Sequence, residues 1–63
     1  MLKWKDIAEN RMICAESNAS PTGAFRIAYD DTMYWPSWSK DCTQNLEELK
    51  KEAQQLHDEY NKQ

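Results

Sequence analysis

One imidazole, two thiols and an adjacent pair of carboxylates are the reactive groups of this sequence: His57, Cys14, Cys42 and Asp30-Asp31. Nucleophilic catalysis needs a nucleophile, a base and an orienting acid brought together. His57 is the one imidazole available as base, and Cys14 or Cys42 would supply the thiol. No Gly-x-Ser-x-Gly elbow is present, and the single glycine, Gly23, leaves no glycine-rich phosphate cradle. His57 follows Leu56 at the edge of an apolar helical seam, so it reads as a boundary residue rather than a base. Structural zinc wants four ligands in paired short spacings, whereas Cys14, Cys42 and His57 stand isolated. Asp30 and Asp31 read as a solvated turn, because neighbours on a strand point to opposite faces. The expectation is a protein without catalytic residues, metal or cofactor.

Recognition chemistry is better represented. Thr32 to Lys40 places Met33, Tyr34, Trp35 and Trp38 around Pro36. A small sheet covered on one face cannot bury every aromatic of the chain. Trp4, Phe25, Ile27 and Tyr29 already compete with Ile13 for that face, so at least one of Tyr34, Trp35 and Trp38 should stay partly exposed. Exposed Trp and Tyr beside a rigid Pro are the residue types that anchor protein interfaces. Met33, Tyr34, Trp35 and Trp38 are therefore the candidate partner-binding residues. Trp38 lies past Pro36, outside the pairing strand, which places it least in the core. The alternative is that Trp38 folds back as a lid over the open end of the sheet.

These residues need a scaffold. Leu46, Leu49, Ala53, Leu56 and Tyr60 step by three and four, which places them on one face of a C-terminal helix over about 45–61. Asn45 can cap it, and Glu48 can return the bond in a capping box. Phe25, Ile27 and Tyr29 alternate with Arg26, Ala28 and Asp30, the period of a half-buried strand. Thr32 to Trp35 is rich in strand formers, so residues 24–35 read as a hairpin turning at Asp30-Asp31. No Gly follows those aspartates, which predicts more than a tight two-residue loop. Ser20-Pro21-Thr22-Gly23 fits a type I turn.

The first residues read as two strands, about 2–7 and 11–17, turning at Ala8-Glu9-Asn10; a single helix is the alternative. The expected fold is α+β: an antiparallel sheet of three to four strands over about 2–38, with one amphipathic helix packed on one face. It forms one domain spanning 1–63.

Composition narrows the class further. Sixty-three residues hold one small core, and the net charge is −3. The longest apolar run, Met12 to Ala15, excludes a membrane span or a secretory leader within this sequence. Two cysteines without an export signal read as free thiols in the cytoplasm. Asn18-Ala19-Ser20 matches the glycosylation acceptor pattern, which has no consequence without export. Lys3, Lys5, Arg11, Arg26 and Lys40 are scattered among acids, so nucleic acid is a disfavoured partner.

Trp4, the Gly23/Phe25/Arg26/Ile27 core, the Tyr34-Trp35 strand and the terminal Leu46–Gln54 helix together form a pattern through most of the chain. In that pattern the sequence resembles small phage and prophage proteins of mostly unassigned function. Some phage proteins of this size and acidity inhibit host machinery or host defence, including CRISPR effectors. The resemblance implies a phage-encoded inhibitor or modulator and carries no functional residues across. The sequence thus points to a non-enzymatic protein that contacts a protein partner, whether a host protein or itself. The rival reading is a structural or assembly protein that forms a homodimer through the uncovered sheet face.

Overall fold

The computed structural model describes residues 1–7 and 11–62. The Ala8-Glu9-Asn10 turn expected from the sequence lies outside them. Four strands and one helix follow in order: β1 (Lys5–Ile7), β2 (Met12–Glu16), β3 (Ala24–Tyr29), β4 (Tyr34–Pro36) and α1 (Leu46–Asn61). The strands form one antiparallel sheet in sequence order, β1-β2-β3-β4. This is the α+β layout, with two strands rather than a helix in the first part of the chain. Strands β1 and β4 are shorter than the 2–7 and 32–35 segments expected, and β4 runs one residue further, to Pro36.

Local chemistry explains the turns. Ser20 accepts the Gly23 N–H at 3.0 Å, and Gly23 holds φ +87°, a conformation that L side chains rarely adopt. Between β3 and β4 the loop spans Asp30 to Met33, longer than a two-residue turn. One oxygen of Asp30 accepts from Thr32 N at 2.8 Å, Met33 N at 2.9 Å and Thr32 Oγ1 at 3.0 Å. That carboxylate does the organising that Gly performs in a tight hairpin. Asn45 caps α1 by accepting the Glu48 N–H at 3.3 Å. The expected capping box is only half formed: the Asn45 N–H goes to Thr43 Oγ1, at 3.1 Å. Thr43 also bridges to Tyr34 through paired backbone bonds, which covers the start of the β4 edge.

Register decides which residues face the helix. Ile13 pairs with Ile27 and Ala15 with Phe25, and this face meets Leu49 and Ala53 of α1. Leu2 joins the same core; its backbone N–H donates to Gln54 Oε1 at 2.8 Å, tying the chain start to the helix. Trp4 packs against both core clusters.

The helical seam departs from the five-residue stripe expected. Leu49 and Ala53 are buried, but Leu56 is 40% exposed and Tyr60 57%. The last turns instead turn His57 and Asn61 toward the β2–β3 loop. His57 Nδ1 lies 2.7 Å from Ser17 Oγ, and Asn61 and Asn18 exchange two amide hydrogen bonds at 2.9 and 3.0 Å. A polar clamp to residues 17–18 thus rotates Leu56 and Tyr60 off the core. The thiols are free: Cys14 is buried and Cys42 exposed.

Candidate functional site

Directly opposed residues on adjacent strands share a face of the sheet. Ile7 pairs with Met12, Met12 with Ala28, and Ala28 with Trp35. These four residues form an unbroken apolar row across all four strands, on the face opposite the helix. Ile7, Met12 and Ala28 are half-buried, and Trp35 stands out at 41% exposure. The adjacent row carries Lys5, Cys14 and Arg26. Arg26 is fastened at both ends: Nη1 donates to Thr22 Oγ1 at 3.1 Å, and its backbone N–H donates to Ser37 Oγ at the same distance.

The four candidate residues separate. Trp35 is the exposed one of the three aromatics of which at least one was expected to stay partly exposed. Met33 is half-buried in the Asp30–Met33 loop. Tyr34 turns to the opposite side, where its ring lies 5.7 Å from that of Tyr29 and packs on the core.

Trp38 corrects the expectation that it lies outside the core. It packs against both core clusters and meets Phe25 edge-on, with centroids 5.2 Å apart at 78°. Its indole N–H donates to a Glu52 carboxylate oxygen at 3.2 Å, which ties it to α1. Trp38 is thus the lid, held between sheet and helix. Ile7, Met12 and Ala28 escaped the sequence reading because their row exists only once the register is known. The one available signal was that Met12 and Ile13 are both apolar, as in a strand with two apolar faces.

The helix side holds an open cleft of about 460 Å³ lined by Trp4, Lys5, Asp6, Ile13, Tyr29, Tyr34, Leu46 and Lys50. Asp6 reaches it because it opposes Ile13 on the helix-facing side. The Tyr29 phenol is held protonated above its usual range, first by partial desolvation and then by the Asp6 carboxylate and Tyr34.

The Ser17–His57 contact is the one arrangement that looks like a nucleophile and base. Ser17 is 5% exposed, and its Oγ also accepts the Ala19 N–H at 3.1 Å. The contact ties the β2–β3 loop to the last turns of α1. Among the described residues no three His, Cys, Asp or Glu side chains gather as metal ligands do. No described helix is long and apolar enough to cross a membrane.

No family model, curated protein or solved structure matches this chain.

Proposed function

We propose that this chain is a small non-enzymatic binding protein that holds a protein partner against the uncovered face of its sheet. The observation that carries this reading is the Ile7–Met12–Ala28–Trp35 row. A row of apolar side chains ending in an exposed Trp, with Lys5 and Arg26 beside it, has the layout of an interface core and rim. The core is complete without that face, since sheet and helix close around Phe25, Ile27, Leu49 and Trp38. Trp35 is thus available for contact without loss of the fold. The sequence resemblance gives the reading its specific form, a phage-encoded inhibitor or modulator of a host protein or defence system, such as a CRISPR effector, working in the cytoplasm.

The test combines capture from bacterial host lysate with sedimentation of the purified chain. Expected is a monomer that retains one host protein in stoichiometric amount, loses it on Trp35→Ala or Met12→Lys, and keeps it on Leu56→Ala. Retention by the Trp35 and Met12 variants would sink the assignment of this face. A stable dimer that Met12→Lys dissociates would instead establish the assembly reading, with the row hidden against a second copy.

A further inference from the structure

We propose that the cleft between the start of α1 and the sheet binds a methylated ammonium group, held against the rings of Trp4, Tyr29 and Tyr34 with the Asp6 carboxylate as its counter-charge. The site lies on the opposite side of the sheet from the Trp35 row and does not depend on it.

Aromatic side chains from three separate segments meet here. Trp4 precedes β1, Tyr29 ends β3 and Tyr34 begins β4, yet all three line one cleft with Ile13. Each is half-buried and packs on the Ile13–Ile27–Leu49 cluster as well as lining the cleft. The Tyr29 and Tyr34 rings lie 5.7 Å apart and are inclined at 44°, which makes an angled wall rather than a flat stack. The face of an aromatic ring carries negative potential and attracts a cation. The volume of about 460 Å³ falls in the range of small-molecule sites, roughly 300–1,000 Å³.

Asp6 sets the sign of the ligand. It opposes Ile13 in the register, which puts it on the helix-facing side, and its carboxylate is only one methylene from the backbone. Its charge reaches the aromatic wall: after partial desolvation, the Asp6 carboxylate is the next cause that raises the Tyr29 phenol. Lys5 and Lys50 also line the cleft, but neither acts on Tyr29 as Asp6 does. Lys5 pairs with Cys14 and so belongs by register to the other face. A lysine stem can line a wall while its ammonium stays in water. Arg11, which meets Tyr29 through its backbone carbonyl, acts on Asp30 instead.

Hydration favours a methylated cation over a primary one. A primary ammonium gives up hydrogen bonds to water on entering an aromatic site. A quaternary ammonium has no N–H to strip and presents methyl groups to the rings.

The test is a set of ¹H–¹⁵N titrations of the full chain with choline, its neutral tert-butyl isostere, the tert-butyl carboxylate and ethanolamine. Expected is that choline shifts the Trp4 indole N–H and the amides of Asp6, Ile13, Tyr34 and Leu46. It should bind roughly tenfold more tightly than the neutral isostere, the value of a partly desolvated cation–π contact. Ethanolamine should bind more weakly than choline. Asp6→Asn should weaken choline and leave the neutral isostere unchanged, and Lys50→Gln should not weaken choline. A trimethyllysine peptide that binds more tightly than choline would assign the group to a protein side chain; choline binding at least as tightly would assign it to a free small molecule. Equal binding of choline and its neutral isostere, or tighter binding of the carboxylate or ethanolamine, would overturn the proposal. So would an Asp6→Asn variant that keeps choline or loses both ligands alike, shifts confined to the Trp35 row, or no shifts at all.

Discussion

Trp35 and Trp38 stand three positions apart and have opposite roles. Trp35 sits within β4, yet its side chain is exposed; Trp38 sits beyond the strand, yet its side chain closes the core. The same contrast runs across the two faces of the sheet. One face is welded to α1 by Ile13, Phe25, Ile27, Leu49 and Ala53, while the other carries an apolar row that no described element packs across. Position relative to a strand end is thus a poor guide to burial. What matters is which face a residue occupies, and whether a loop residue can swing into a gap beside the core.

The contrast predicts a graded series of stabilities. Phe25→Ala and Leu49→Ala remove buried side chains from the covered face and should lower stability most, by roughly 2–5 kcal/mol. A domain of this size has little more stability than that in total, so thermal or urea melts should show much of the population unfolded. A parental melting curve for Leu49→Ala would show that the helix is not docked.

Trp38→Ala comes next, at roughly 2–3 kcal/mol, less than a fully buried aromatic because the ring is only half-buried. Trp38→Phe should recover part of the loss by restoring the edge contact to Phe25, without the bond to Glu52. If Trp38→Ala melts as the parent does, the ring is not a lid, and the distinction between the two tryptophans collapses.

Trp35→Ala and Leu56→Ala should each change stability by about 1 kcal/mol or less, as surface replacements do. Of the two, only Trp35→Ala should weaken a bound partner, by about 2 kcal/mol or more in a binding titration if it is a hot spot. A Trp35→Ala variant that unfolds would make Trp35 a core residue and remove the anchor.

The smallest effect concerns the loop that sets Tyr34 and Trp35 on opposite faces. The Thr32 N–H, then the Met33 N–H, hold the Asp30 carboxyl below its usual 3.8. The folded pKa lies below the unfolded one, so this contribution is complete above the usual value and is lost as pH falls through the folded value. Melting temperatures taken from about pH 6 down to about pH 2.5 should therefore fall less steeply for Asp30→Asn than for the parent. Parallel curves would show that the loop bonds do not depend on the charge.

Local pattern was enough for the elements. The alternation of Phe25, Ile27 and Tyr29, the Ser20–Gly23 turn, the Asn45 cap and the helix over Leu46–Asn61 all follow from interactions within a few residues. Of Tyr34, Trp35 and Trp38, at least one was expected to stay partly exposed; the exposed one is Trp35, while Tyr34 and Trp38 pack on the core. Neighbours on a strand alternate faces, and Trp38 is placed by Phe25 and Glu52, which are distant in sequence.

The sequence by itself determined the hairpin over about 24–35 and the C-terminal helix, because hydrophobic periodicity, turn residues and capping act at short range, and it left two strands or one helix open for the first part of the chain. The Ile7–Met12–Ala28–Trp35 row, the lid at Trp38, the rotation of Leu56 and Tyr60 away from the core, and the cleft at Trp4 were decided only by tertiary structure. Each depends on the register of strands joined by loops or on the angle at which α1 crosses them. Those long-range choices are made by packing volume and by polar clamps such as Ser17–His57, which no local spacing encodes.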